Sequence, residues 1–359
     1  MEQEQNRKKF RISVGLIFNI LIFALTVFLI VYFIFSKDGF IDLIKSGLEI
    51  SLWWILAAVI MHLLNIGIDA SIIYLFVRES VPDVKVRTAV KASMVGQFYC
   101  AITPSSTGGQ PMQILMMSRA GIKGSVATSA LIQKFLVWQF TLAVYCIVAV
   151  VARFSFFREN LDTHMWILSA IGFAAQMIML SVLLLASFAK NFTKKVSSGF
   201  LKFLGKLHIL KNVDEKIASL EDTLESFHKS NKALQKNKPL LIEAYMLTAV
   251  QMTALFLVPY CIAMSFHIPD LNIFDMLCAQ SYVSMVSSLV PLPGGSGAAE
   301  YCFSTFFMAY ISAETMKSAI LIWRTITYYG TIMISMPFSG VKKKEKQLEV
   351  SHEKEETAE

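Results

Sequence analysis

Residues 165–189 read MWILSAIGFAAQMIMLSVLLLASFA and contain no Asp, Glu, Lys or Arg. Residues 12–36 form a second charge-free stretch of the same kind. An α-helix rises about 1.5 Å per residue, so about 20 residues cross a hydrocarbon core that is about 30 Å thick. Both stretches are long enough, and we therefore predict an integral membrane protein built from apolar transmembrane helices.

The composition of the whole chain favours the same class of protein. Of its 359 residues, 55% are hydrophobic and 16% are charged, and the mean hydropathy is +0.55. A soluble domain carries roughly 25% charged residues, so this chain has too few to cover a surface in water. The sequence shows no motif for a cofactor or a metal. The cysteines all lie in apolar segments and are predicted to be buried free thiols: Cys100, Cys146, Cys261, Cys278 and Cys302.

The apolar segments predict an all-α, polytopic architecture. Six of them are long enough to be full spans: 12–35, 50–77, 125–152, 164–189, 240–266 and 318–338. Two more, 88–118 and 273–311, are broken by Pro and Gly near the middle. We predict that each broken segment is a re-entrant hairpin of two half-helices. Non-helical backbone at membrane depth is tolerated only where protein or a water-filled cavity surrounds it.

The distribution of Lys and Arg predicts the orientation. If both hairpins enter and leave on one side, 26 of the 33 Lys and Arg residues fall on one face and five on the other. Because cytoplasmic loops carry the excess of positive charge, both termini are expected in the cytoplasm of a bacterial cell, with the chain in the cytoplasmic membrane. This rule also accounts for the net charge of +7 without a nucleic-acid partner.

Composition shifts divide the chain into five regions. They are a cytoplasmic N-terminus (1–11), a first membrane half (12–189), a Lys-rich cytoplasmic segment (190–238), a second membrane half (239–340) and a disordered tail (341–359). The segment 190–238 has apolar positions at helical spacing, which predicts an amphipathic helix pair near anionic headgroups. A solvated linker is the alternative.

The two membrane halves share a pattern. In each, a full span precedes a broken segment and another span follows it, and both turns contain Pro followed by Gly-Gly. A lone cation, Lys134 or Arg324, lies early in the span that follows. This pattern predicts an inverted repeat with a site between its halves, a common plan of transporters. Chance Pro and Gly breaks are the alternative.

The second turn reads PLPGGSGAAE from Pro291 to Glu300. Its prolines stop one half-helix, and its glycines let the backbone approach another group closely. We expect Ser296 to cap the next half-helix, whose N-terminus could hold a phosphate. The alternative is a packing turn in which Glu300 caps the helix or pairs with Arg324.

The first turn reads TPSSTGGQP from Thr103 to Pro111 and carries neutral hydrogen-bonding groups. These suit phosphate or glycerol oxygens, although the turn could instead satisfy its own backbone. A charge within a span needs a partner, so Lys134 and Arg324 are expected to hold a lipid phosphate, to form structural pairs or to reach the interface. Asp69 is a candidate for coupling transport to a proton or for pairing with Lys134. With Asn65 it could equally form interhelical hydrogen bonds, and His62 is expected to be a satisfied core residue.

These two turns resemble the signatures of the lysylphosphatidylglycerol synthase transmembrane family, which includes the flippase region of the bacterial multiple peptide resistance factor. The resemblance extends over roughly residues 10–340. The matching positions are Pro104, Gly108, Gly109, Gln110, Pro291, Pro293, Gly294, Gly295, Gly297, Glu300 and Arg324. Many relatives carry Glu where Gln110 stands. With Thr107 and Lys134, these are the candidate substrate-binding residues.

The resemblance implies a flippase that moves anionic phosphatidylglycerol or its lysyl ester between leaflets and so protects against cationic antimicrobial peptides. In that family a cytoplasmic domain makes the lysyl lipid from lysyl-tRNA. We expect no such domain here, so a separate synthase protein is an expected partner. The alternatives are a phosphatidylglycerol lysyltransferase or its membrane subunit, and a small-solute carrier or membrane scaffold. The sequence leaves the oligomeric state open.

Overall fold

The computed structural model describes residues 50–160, 163–189, 231–288 and 292–340, with Val290 and a few isolated positions between 194 and 229. The predicted first span at 12–35, the terminal regions, most of 190–238 and Pro291 lie outside the described residues. The described ranges are helical and contain no strand, which confirms the all-α class. The helices are α1 (Leu52–Ser80), α2 (Val86–Ile102), α3 (Gly109–Arg119), α4 (Gly124–Asn160), α5 (Thr163–Phe188), α6 (Lys238–Ser265), α7 (Ile273–Ser287), α8 (Ala298–Phe307), α9 (Ala313–Arg324) and α10 (Gly330–Ser335).

Three helices in the described ranges are long and apolar enough to cross a bilayer. They are α1, the Gly124–Arg153 part of α4, and α6. Helix α4 is kinked at Arg153, where φ is −127° and ψ is 23°. A shorter apolar stretch, Trp166–Val182, lies within α5. The full count of six spans stays a prediction.

The broken segments fold as helix–turn–helix hairpins. Helices α2 and α3 pack against each other around the 3-10 turn Pro104–Ser106, and α7 and α8 do so around the 3-10 turn Pro293–Gly295. The two turns are in contact with each other. We call residues 103–110 the first tip and residues 292–300 the second tip, so that each name covers a turn and the residues that flank it. The re-entrant placement of the hairpins in a bilayer stays a prediction.

Hydrogen bonds show which helix ends lie together. The Ser51 backbone N–H donates to the Ser265 carbonyl at 2.9 Å, so the start of α1 lies beside the end of α6. At the other end, the Asn237 amide donates to Glu79 at 2.9 Å. Helices α1 and α6 are therefore antiparallel. Because α2 follows α1 and α7 follows α6, the hairpins open toward opposite ends of the bundle, as an inverted repeat requires.

The described helices bury some polar side chains in a mostly apolar interior and expose many large apolar ones. Charged and amide side chains such as Asp69, Gln133, Gln251 and Arg324 are buried. Large apolar side chains are exposed along the long helices, among them Leu52, Trp53, Leu56, Ile60, Val151, Ile178, Ile242 and Met246. Exposed apolar surface of this extent requires an apolar surrounding, which supports the membrane location.

The last predicted span begins earlier than the sequence suggested. Helix α9 starts at Ala313, not near residue 318, and Ser312 caps it by accepting a hydrogen bond from the Thr315 backbone N–H at 3.4 Å. The first turn of α9 contains the charged residues Glu314 and Lys317. A prediction from apolar runs alone therefore placed the start of the helix too late. A π-helical turn at Thr325–Tyr329 follows α9 and leads into α10.

Candidate functional site

A cavity of about 690 Å³ lies between the two tips and the surrounding helices. Helices α1, α2, α3, α4 and α6 line it, together with both tips, the π-helical turn and Thr331 of α10. Its polar lining consists mainly of hydroxyls and carboxamides, with one acidic and one basic side chain. These residues are His62, Asn65, Asp69, Gln97, Ser105, Ser106, Thr107, Gln110, Gln113, Lys134, Gln251, Thr327, Tyr328 and Thr331.

The charged pair in this cavity joins α1 to α4. The Lys134 ammonium lies 2.5 Å from Asp69 Oδ1, and Ser93 donates to Asp69 Oδ2 at 2.6 Å. The side chains of Lys134 and Asp69 are 16% and 8% exposed. Of the alternatives raised by the sequence, the structure therefore shows the one in which Lys134 and Asp69 pair. The ammonium has three N–H donors, so two remain for a ligand.

The first tip satisfies part of its own backbone. The Thr103 hydroxyl accepts from the Gly108 backbone N–H at 2.9 Å, and the Thr107 hydroxyl donates to the Pro104 carbonyl at 2.9 Å. In contrast, the side chains of Ser105, Ser106 and Gln110 line the cavity and make no hydrogen bond within the part of the chain described. The first tip therefore presents unused hydrogen-bonding groups to a ligand.

Gly109 explains how the arms of this hairpin meet so closely. A Cβ at this position would lie 2.1 Å from Cys100 Sγ and 3.0 Å from the Gly96 carbonyl oxygen. Because real Cβ atoms do not approach other atoms this closely, only glycine allows α3 to begin directly against α2.

The second tip is held by Glu300 and Arg324. One carboxylate oxygen of Glu300 accepts from the Gly297 backbone N–H at 2.6 Å, and the other lies 2.7 Å from Arg324 Nε. Arg324 Nη1 also donates to the Gly294 carbonyl at 2.9 Å. The carboxylate of Glu300 thus occupies the position at the start of α8 that the sequence reading assigned to a phosphate, and the structure shows the alternative, the pair with Arg324.

The predicted cap at Ser296 is wrong. Gly297 is the N-cap of α8, with φ at +84°, and the Ser296 hydroxyl instead donates to the Pro293 carbonyl at 2.8 Å. Because Gly297 turns the chain with its positive φ, α8 begins one residue later than it would with Ser296 as the cap. The cap role then passes to Glu300, which is the third residue of α8.

Arg324 is buried between two aromatic rings. Its guanidinium carbon lies 5.2 Å from the centre of the Trp323 ring and 5.3 Å from that of Tyr328. The Tyr328 hydroxyl donates to the Ala101 carbonyl at 3.1 Å, which ties this region to α2. Tyr328 therefore links the second tip and the cavity lining to the first hairpin.

The structure brings only some of the predicted site residues to the cavity. Asp69, Thr107, Gln110, Lys134 and Gly294 line it. Pro104, Gly108 and Gly109 shape the first tip behind the lining, whereas Pro293, Gly295, Gly297, Glu300 and Arg324 build the second tip and do not line the cavity. Substrate binding by any of these residues stays a prediction.

Sequence reasoning missed several residues of the cavity. Gln97, Gln113 and Gln251 were not singled out, nor were Trp138 and Tyr328. A carboxamide within an apolar segment is the signal that could have found the first three, because its burial requires polar partners. His62, expected in the core, lines the cavity as well. No group of three or more His, Cys, Asp or Glu suited to a metal occurs among the described residues.

Comparison with known proteins gives the family. Residues 16–335 match the family described as the lysylphosphatidylglycerol synthase TM region. A UPF0104 membrane protein of Archaeoglobus fulgidus is 25% identical over 272 residues, which cover 71% of this chain and 77% of that protein. No solved structure matches the chain. Because the family match covers most of the chain, this membrane protein belongs to the lysylphosphatidylglycerol synthase transmembrane-region family.

Proposed function

We propose that the protein is a phospholipid flippase that moves phosphatidylglycerol or its lysyl ester between leaflets, and so contributes to resistance against cationic antimicrobial peptides. The observation that carries this proposal is the cavity of about 690 Å³ between the tips of two opposed hairpins. A polar headgroup cannot cross hydrocarbon unless other polar groups replace its water, and the cavity lining offers such groups.

The size of the cavity favours a headgroup without its acyl chains. Small-molecule pockets commonly have volumes of about 300–1,000 Å³, so a glycerophosphate headgroup fits, whereas two long acyl chains do not. Apolar surface is exposed on the helices around the cavity. In the proposed mechanism the headgroup moves through the cavity while the acyl chains stay in the bilayer.

The charges in the cavity suit a headgroup that carries both signs. Lys134 can donate to a phosphate while it remains beside Asp69, and Asp69 can accept from a lysyl ammonium. The ion pair is neutral as a whole, so neither ligand charge meets a strong repulsive field. This arrangement favours phosphatidylglycerol and its lysyl ester over a headgroup with several negative charges.

The proposed orientation rests on the basic residues at one end of the bundle. Arg78, Lys85, Arg87 and Lys123 lie near the end of α1 and the start of α4, and Lys238 begins α6 at the same end. In the proposed arrangement this end faces the cytoplasm of the cell, and the first hairpin opens toward it. The second hairpin then opens toward the outer face.

A leaflet-resolved assay tests the proposal. Purified protein is placed in vesicles with labelled phosphatidylglycerol, and the label in the outer leaflet is destroyed by an impermeant reagent. We expect the protein to expose inner-leaflet lipid at a rate above that of protein-free vesicles. An equal rate in both preparations would reject the function.

A paired variant makes the assay specific to the cavity. Lys134→Met/Asp69→Asn removes the ion pair of the cavity without leaving one charge unpaired, and is expected to slow transport. Arg153→Met/Asp275→Asn is the matched control, because it removes an ion pair between α4 and α7 that does not line the cavity. Equal transport by the two double variants would argue against the cavity as the route.

A further inference from the structure

The π-helical turn Thr325–Tyr329 separates α9 from α10 and weakens the helix at this point. Its defining hydrogen bond runs from the Gly330 backbone N–H to the Thr325 carbonyl, five residues back instead of four. The hydroxyls of Thr325 and Thr327 each donate to the backbone carbonyl four residues earlier, at 2.8 and 2.7 Å. Helices bend at such features, so the chain can pivot here more easily than within α9 or α10.

Helix α9, on one side of this turn, is fixed to the second hairpin. Arg324 at its end lies 2.7 Å from Glu300 and donates to the Gly294 carbonyl at 2.9 Å. The ring of Trp323 on α9 lies 4.8 Å from that of Phe303 on α8, measured between centroids. These contacts should make α9, α8 and the second tip move together, and we call α7, α8, α9 and the second tip the second body.

Helix α10, on the other side of the turn, is fixed to the first hairpin. Ile332 of α10 packs in one apolar cluster with Phe98 and Ala101 of α2. Just beyond α10, the Ser339 carbonyl accepts a hydrogen bond from the Tyr99 hydroxyl of α2 at 3.4 Å. We call α2, α3, α10 and the first tip the first body. The π-helical turn therefore connects the two bodies along the chain.

Tyr328, within the turn, also joins the two bodies across the tips. Its ring lies against the second tip, since a Cβ on Gly294 would be 2.2 Å from Tyr328 Cε2. Its hydroxyl donates to the Ala101 carbonyl of α2 at 3.1 Å. We propose that the π-helical turn is a hinge and that Tyr328 is its latch. Breaking the hydrogen bond between Tyr328 and Ala101 lets the second body tilt away from the first and separates the tips.

The contact between the tips is what this motion would open. The tips touch each other in the structure, and Tyr328 and Gly294 line the cavity beside them. A tilt about the hinge separates the tips without breaking the pair of Glu300 and Arg324, because both residues belong to the second body. The inference goes beyond the proposed function, since it concerns a motion of the protein whatever ligand the cavity takes.

Distances between spin labels test the hinge. Leu115→Cys on α3, Met308→Cys at the end of α8 and Met333→Cys on α10 place labels at exposed positions. A Cys100→Ser background leaves only the buried native cysteines. The labels at 115 and 308 span the two bodies, whereas those at 115 and 333 lie within the first. Both distances are measured by double electron–electron resonance on the full chain in phosphatidylcholine nanodiscs.

The latch predicts a different response from each pair of labels. A neutral hydrogen bond contributes about a factor of five to an equilibrium, so Tyr328→Phe should raise the ratio of separated to closed tips about fivefold in the 115 and 308 pair. Tyr328→Leu, which also removes the ring contact with Gly294, should raise this ratio further. The distance between 115 and 333 should stay the same in both variants.

Tyr99→Phe is the matched control, because it removes a tyrosine hydrogen bond within the first body and should change neither distance. An unchanged distribution for 115 and 308 in both Tyr328 variants would overturn the latch. An equal change in the 115 and 333 pair, or the same change with Tyr99→Phe, would place the motion elsewhere and overturn the hinge. No lipid transport enters this measurement, so its failure would leave the proposed function to the leaflet-resolved assay.

Discussion

Replacing Gly294 by alanine places a methyl group where the Tyr328 ring already lies. An ideal Cβ at this position is 2.2 Å from Tyr328 Cε2, 2.7 Å from Cδ2 and 2.8 Å from Cζ. The backbone of Gly294 has φ at +61°, which side chains other than glycine adopt only with strain. The second tip therefore needs glycine here for two separate reasons.

The expected loss of stability is the sum of these two effects. A left-handed backbone costs an L-residue about 1–2 kcal/mol. Forcing an extra methyl into a packed contact costs about 1–3 kcal/mol more. Gly294→Ala should therefore reduce the free energy of unfolding by about 2–5 kcal/mol.

A double-mutant cycle separates the contact from the backbone strain. Tyr328→Leu removes the ring, so Gly294→Ala should cost about 1–3 kcal/mol less in that background than in the original protein. Gly297→Ala is the matched control: φ is +84° there, but nothing lies within 4 Å of its Cβ position. Its cost should be the same in both backgrounds.

Equilibrium unfolding in mixed detergent and denaturant, followed by circular dichroism, measures these differences. Gly67→Ala in α1 completes the set, because Gly67 has neither positive φ nor a close neighbour, and alanine should raise stability by about 0.5–1 kcal/mol. The reasoning is refuted if Gly294→Ala is as stable as Gly67→Ala, or if its cost does not depend on residue 328.

Three further predictions concern the ion pairs and the first tip. Lys134→Met leaves the buried Asp69 carboxylate without its cation. This variant should lower the free energy of unfolding by about 3 kcal/mol more than Lys134→Met/Asp69→Asn does in the same titration, and equal stabilities would contradict a buried pair. Glu300→Gln keeps an acceptor for Gly297 but removes the anion beside the buried Arg324 guanidinium, and should cost about 3 kcal/mol; a loss below about 1 kcal/mol would contradict this pairing. Ser106→Cys should react with a hydrophilic maleimide while the buried native Cys146 does not, as mass spectrometry of the labelled protein would show; no reaction at position 106 would exclude a polar route to the first tip.

The helical elements and the two tips were readable from the sequence. Long apolar runs placed α1, α6 and the Gly124–Arg153 part of α4 within a few residues of their bounds, because crossing a bilayer requires such runs. The last turns of α4, as far as Asn160, were not predicted. Pro104 and Pro293 marked both turns, since proline stops a helix. Glycine supplies the positive φ only in the second turn, whereas Ser105 and Ser106 adopt it in the first. These signals are local, so they need no knowledge of the tertiary structure.

The partners of the charged residues could not be chosen from the sequence. Lys134 and Arg324 each needed an anion, but whether it was a lipid or a side chain depended on helix packing. The structure pairs Lys134 with Asp69 and Arg324 with Glu300, and places only the first pair in the cavity. The symmetric pattern of the sequence therefore predicted equivalent roles for two cations that have different surroundings.

The amides of the cavity were missed for a related reason. Gln97, Gln113 and Gln251 belong to three different helices and carry no shared motif. Their common surroundings arise only when the folded bundle brings α2, α3 and α6 to the lining of one cavity. Likewise, Gly297 and not Ser296 begins α8, because Gly297 has a positive φ. The sequence has several glycines in this turn and does not indicate which of them begins the helix.

Plugging the cavity tests the central claim, that a headgroup passes between the two tips. Ser106→Trp puts a bulky side chain into the cavity lining, whereas Met308→Trp alters a residue that is 61% exposed and does not line the cavity. Both are measured with labelled phosphatidylglycerol in vesicles by the leaflet-resolved assay. Transport is predicted to stop with Ser106→Trp and to continue with Met308→Trp; transport at the original rate by both would contradict the account.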